Sequence, residues 1–169
     1  MKKLFILPCL LCAFLSCEQA KEVSSVNPVN WDKRELKRQL PDSLITGSTY
    51  LSVYSQVYSQ TEHITRDLTA TVSLRNIDLQ DSIYIDKATY YDTHGNPIRT
   101  YFEKTIYIAP METVEIIIDE VDKSGGTGAN FVFDWKTEPG SAEPLFEAVM
   151  ISTSGQQGLS FSTTGKQVR

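Results

Sequence analysis

The sequence predicts an all-β domain, two antiparallel sheets packed as a sandwich of immunoglobulin-like type, with a small β-barrel as the runner-up. Three observations predict it. Alternation with period two is clearest in 68–75, where Leu68, Ala70, Val72 and Leu74 share one face, the pattern of a half-buried strand. Further runs rich in β-branched and aromatic residues occur at 50–58, 82–91, 105–109, 114–121, 129–136, 145–152 and 159–162. Turn chemistry separates them: Asn76-Ile77-Asp78, His94-Gly95-Asn96-Pro97, the run 124–128, Pro139-Gly140 and Ser154-Gly155. No long helical period and no internal repeat competes with this reading.

The first 16 residues are of another kind. Met1, Lys2 and Lys3 form a charged start, and the apolar run that follows to Leu15 is shorter than the roughly 20 residues needed to span a bilayer. Phe14-Leu15-Ser16-Cys17 resembles the lipobox read by lipoprotein signal peptidase, with Phe14 where that motif usually carries an aliphatic residue. We therefore expect export, removal of 1–16 and acylation of Cys17. Each buried CH₂ of the acyl chains would contribute about 0.8 kcal/mol to membrane attachment. Cys9 and Cys12 have C-x-x-C spacing, but they fall in the segment to be removed. With Cys17 acylated the mature chain holds no free thiol, so its stability must come from packing.

From Glu18 to about Thr46 the chain is polar and reads as a flexible tether. Asn30 could cap a short helix over 31–40, with Pro41 as its stop, which docks on the domain or stays disordered. The folded domain is expected over 47–169, a size that buries roughly two-thirds of its unfolded surface. Of 169 residues, 16 are Lys or Arg and 21 Asp or Glu, and losing Lys2 and Lys3 with the leader takes the net charge from −5 to −7. An acidic chain repels phosphate backbones, which argues against nucleic acid as a partner.

Four stretches, Leu51 to Tyr58, Leu74-Arg75-Asn76, Tyr90 to Gly95 and Gly125 to Phe131, resemble the bacterial family called domain of unknown function 3124. The resemblance spans roughly 50–162 and is carried most specifically by the Gly-rich run followed by Asn130-Phe131 and Trp135. It implies an exported or lipid-anchored protein. That family supplies no activity and no catalytic residue to carry over.

The loop 119–130 is the best ligand candidate. Glu120, Asp122, Ser124 and Gly125 fall at positions 1, 3, 5 and 6 of a calcium-loop pattern, and Gly126, Gly128 and Asn130 complete the stretch. Position 12 is Phe131, so the bidentate acid is missing. Alternatively the glycines bring backbone N–H groups toward an anion, or they merely join two strands. A second candidate is an aromatic surface of Tyr54, Tyr58, Tyr90 and Tyr91, with Tyr84 and Tyr101 nearby in sequence, that could face sugars or a protein.

His63 and His94 are the only histidines, and Asp92 to Pro97 reads as a hairpin turn. No H-E-x-x-H, G-x-S-x-G, Walker or dinucleotide motif is present, Ser152 and Ser154 lack a partner by sequence, and Glu103 and Glu115 could meet across strands. We expect no catalytic residue, no metal and no cofactor, calcium at the 119–130 loop being the one alternative. The expected role is a non-enzymatic binding or accessory module of the bacterial envelope. It would be held on a membrane by its lipid, outer rather than inner and facing periplasm or surface, and would contact an envelope protein or glycan. The alternative is a cation-binding sensor or cation-dependent enzyme.

Overall fold

A computed structural model describes residues 31–154 and 158–169. The leader, Cys17 and most of the tether lie outside the described residues, as does part of the Ser154-Gly155 turn. The elements in order are α1 (Trp31–Arg34), β1 (Ile45–Ser52), β2 (Gln56–Ser59), β3 (Thr61–Asp67), β4 (Thr69–Arg75), β5 (Ile83–Tyr91) and β6 (Pro97–Thr100). There follow β7 (Ile106–Ile108), β8 (Thr113–Ile118), β9 (Asn130–Thr137), β10 (Leu145–Ser152), β11 (Leu159–Thr164) and β12 (Lys166–Gln167).

One sheet runs β12-β1-β9-β5-β6, with β7 also paired to β5, and the other runs β11-β10-β4-β8. All pairings are antiparallel and neither sheet closes, so the fold is the expected two-sheet sandwich and not the barrel. The period-two residues meet between the sheets. Phe131, Phe133 and Trp135 point inward from β9, and Ala70, Val72 and Leu74 from β4, all of them buried. Phe133 stacks on Phe146 of the opposite sheet, centroids 4.2 Å apart. Gly47 pairs with Trp135 across β1 and β9, and a Cβ there would come within 2.2 Å of the indole, so only glycine lets the ring lie over that strand.

Several expectations are corrected in detail. The run 50–58 is two strands, because the backbone N–H groups of Ser55 and Gln56 donate to the Gly126 carbonyl and bend the chain out of the first sheet. β2 continues into β3 through Gln60 at φ 67°, forming a separate two-stranded ribbon whose residues 60–66 are all exposed. The run 114–121 stops at Ile118, where Asp122 N–H donates to the Asp119 carbonyl and turns the chain. The helix keeps only Trp31–Arg34 of 31–40.

That segment docks on the domain. The Trp31 ring packs 5.0 Å from Phe102, Leu36 N–H donates to the Thr105 carbonyl, and Arg34 bonds Glu112 at 2.6 Å. The fold thus begins well before residue 47, and β1 itself starts at Ile45.

Candidate functional site

The Gly-rich loop closes one end of the sandwich. It leaves β8 at Ile118 and enters β9 at Asn130, and it lies against two other connections, 53–56 and 92–96. The Gly126 carbonyl accepts from the N–H groups of Ser55 and Gln56 at 3.2 and 3.1 Å, and the Ala129 carbonyl accepts from Val53 N–H at 2.9 Å. From the other side Thr93 donates twice to the Gly125 carbonyl, through its N–H at 3.1 Å and its hydroxyl at 3.0 Å. The same hydroxyl accepts from Gly128 N–H at 2.9 Å. Of the loop's own N–H groups, which alone could face an anion, Gly128 is spent on Thr93, Gly126 donates to the Lys123 carbonyl at 3.1 Å and Ser124 to the Asp122 carboxylate.

Below the loop lies a polar cluster. Asp122 is 8% exposed and pairs through Oδ2 with the Arg99 guanidinium at 3.0 Å. Its Oδ1 accepts from Ser124 N–H at 3.1 Å and from the Ser124 hydroxyl. Arg99 also donates to the Tyr101 hydroxyl at 3.0 Å and stands 5.6 Å from that ring's centroid. Burying a carboxylate is costly unless it is paired and hydrogen-bonded, and Asp122 is both. Burial raises the Tyr101 hydroxyl above its ordinary pKa, against the opposing pull of Arg99.

Gly125 supplies the space for the next layer. A Cβ there would lie 2.0 Å from the Tyr90 hydroxyl oxygen and 2.6 Å from the Ser55 hydroxyl oxygen. Tyr90 is fully buried, stacks on Phe131 at 4.7 Å and faces the Ser55 hydroxyl at 3.4 Å. Burial pushes its pKa up to about 12. Gly126, at φ +70°, takes a left-handed conformation that L side chains rarely adopt.

Set against the sequence, the calcium-loop arrangement is not formed. Asp122 is bonded by Ser124 and Arg99, Glu120 is exposed on the turn, and Asn130 sits in the ladder opposite Ser52 and Tyr91. Among the described residues no three of His, Cys, Asp and Glu are grouped to hold a metal ion.

The aromatic surface is also corrected, because alternation along β5 sends Tyr90 into the core. Tyr84 and Tyr101 are buried as well. Tyr54 is half-buried, edge-on to Phe161 at 5.8 Å, while Tyr91 is half-buried beside β6. Tyr58, 62% exposed on the β2–β3 ribbon, stands apart from them.

His63 is exposed on β3 and His94 at the β5–β6 turn, where its N–H donates to the Asp92 carboxylate. Glu115 lies opposite Ser73, whereas Glu103 lies in the β6–β7 connection, so the two do not pair across strands. Ser152 and Ser154 bond each other at 3.1 Å.

Sequence reasoning missed Arg99 and Thr93, which bind the loop from the β5–β6 hairpin. It also missed two grooves away from the loop. One, of about 540 Å³, is lined by Ser48, Asp86, Lys87, Asp134 and Arg169 among others; the second, about 320 Å³, lies between Trp31 and the 101–106 segment. Asp86 and Asp134 in the first are already held by Lys136 at 2.8 Å and by Ser48 and Arg169.

Comparison with known proteins gives three results. The model of a family described as "Protein of unknown function (DUF3124)" matches residues 46–168. None of the curated proteins matches. Among solved structures, the crystal structure of Thermotoga maritima 1070 is similar at 8% identity and a TM-score of 0.45, covering 71% of this chain and 92% of that one.

Proposed function

Given that the chain belongs to the DUF3124 family of proteins of unknown function, we propose that it is a lipid-anchored, non-enzymatic binding module of the bacterial envelope that contacts a protein partner. The observation that carries the reading is the closed polar cluster. The residues richest in chemistry are occupied, Asp122 by Arg99 and Ser124, Ser55 by the Tyr90 hydroxyl and Thr93 by the loop backbone, which is the arrangement of an end cap and not of a reacting centre.

The anchor is the acylated Cys17, and 13 residues lie between it and the docked Trp31. At about 3.3–3.6 Å per residue this tether reaches at most roughly 50 Å from the leaflet, ample for the domain to meet a membrane-associated partner. Intact mass spectrometry of the protein extracted from membranes tests the anchor: a diacyl or triacyl mass on an amino-terminal Cys17 is expected. An unmodified terminus at another residue, or release from membranes by salt alone, overturns it. Co-purification after cross-linking tests the binding role; a domain that turns over a substrate while retaining no partner refutes it.

A further inference from the structure

We propose that the free edge of β8, Thr113–Ile118, is a docking site for an extended, basic strand of a partner protein. The inference rests on the binding-module reading above and gives it a surface. β8 pairs with β4 on one side, and no described strand pairs with it on the other. No backbone hydrogen bond from elsewhere among the described residues reaches 113–118. An antiparallel edge leaves the N–H and C=O of every second residue pointing outward, a ready ladder for one more strand.

The other strand edges are defended. β12, β7 and β6 have two, three and four residues, and β6 opens with Pro97. β11 is tied toward the other sheet by the Thr163 hydroxyl, which donates to the Ser52 carbonyl at 2.6 Å. The β2–β3 ribbon is bulged at Tyr58/Ser59 and carries Glu62, His63 and Arg66. β8 has none of these protections: six residues in unbroken register with β4, without Gly, Pro or a cation.

Side chains indicate what strand fits. Val114, Ile116 and Ile118 turn into the core, while Thr113, Glu115 and Ile117 line the outer face. From 113 to 120 the sequence holds Glu115, Asp119 and Glu120 and no Lys or Arg; Glu112 is already paired with Arg34, and the nearby Arg75 of β4, which donates to the Thr113 hydroxyl at 3.3 Å, is paired with Glu147. An added strand whose apolar residues continue the inward row would place its alternate residues beside Glu115, where lysine or arginine is complementary. A second copy of this chain fits less well. Its own edge offers no lysine or arginine to set beside Glu115, and the register that pairs Glu115 with itself opposes the two carboxylates.

The test uses the protein extracted from membranes in detergent, with an acetylated heptapeptide alternating lysine and valine as probe. Hydrogen exchange read by mass spectrometry is expected to slow at 113–118 and not on the β2–β3 ribbon. The protection should vanish with a copy of the peptide N-methylated on alternate residues, and with a scrambled peptide of equal charge. Glu115→Lys changes only an exposed side chain, and it should weaken the lysine peptide about threefold while favouring a glutamate–valine peptide, the scale of a cross-strand charge pair.

Equal protection by the scrambled or methylated peptide, or none at millimolar peptide, overturns the proposal. So does a peptide-free dimer whose protected segment is 113–118, which would make the occupant a second copy. The amino-terminal mass reports on the anchor separately, so loss of one reading is distinguishable from loss of the other.

Discussion

Replacing Gly125 with alanine isolates the reason for the Gly-rich loop. The new methyl would stand 2.0 Å from the Tyr90 hydroxyl oxygen, 2.6 Å from that of Ser55 and 2.7 Å from the Ala129 Cβ, all far inside contact distance. Tyr90 cannot swing away cheaply, because it is fully buried and stacked on Phe131. Overpacking of this kind costs about 1–3 kcal/mol, and displacing the loop also strains the bonds from Thr93, Ser55 and Gln56. We expect a loss of about 2–4 kcal/mol, and a melting temperature lower by on the order of 10 °C.

The double variant with Tyr90→Phe removes the shortest clash. In a urea-unfolding cycle it should recover about 1 kcal/mol relative to additivity, since the two sites touch. Gly128→Ala, whose Cβ would meet Thr93 at 3.1 Å, should cost less. A Gly125→Ala protein as stable as the parent, or a cycle that is additive, refutes the end-cap argument. The loop would then be open to a ligand.

Asp122→Asn leaves Arg99 beside a neutral group and should destabilise by about 1–3 kcal/mol, discounted because Arg99 is partly exposed; an unchanged urea midpoint contradicts the pairing. Millimolar calcium should leave the melting temperature unchanged, since ligands that bind only the folded state raise it; a dose-dependent rise would revive the cation reading. At alkaline pH, the Tyr90 hydroxyl is held at about 12 against an ordinary value near 10. Its contribution is complete below pH 10 and lost as pH rises through 12, so Tyr90→Phe should show a shallower decline there, and equal slopes count against it. At acid pH, Arg34 holds the Glu112 carboxyl below the usual range, so that stabilisation is present above the unfolded value and disappears as pH falls through the folded one. Glu112→Gln should flatten the loss of melting temperature below about pH 4.

What could be read from the residues divides along burial. β4, β9 and β10 alternate because one face of each is sealed in the core, and that face writes a period of two into the sequence. β3 has no buried face, so Thr61–Asp67 carries no alternation, and its pairing with β2 is the only reason it is a strand. The break at 53–55 is equally silent locally. Val53 continues the apolar rhythm of Leu51, and the bend comes from bonds to Gly126 some 70 residues away.

The loop 119–130 shows the same limit in its chemistry. Its acids and glycines announce a special backbone, and they are special, but their meaning lies in what faces them. Arg99 comes from the far strand of the β5–β6 hairpin, Thr93 from that hairpin's turn and Tyr90 from the strand before it. A carboxylate next to glycines looks the same in one dimension whether it awaits a cation from solvent or has one in a neighbouring strand. Only the Arg99 guanidinium, 3.0 Å from Asp122, separates the two. The open β8 edge reverses the case: its alternation predicts a strand, but nothing along the chain says that one side of it pairs with no other strand among the described residues.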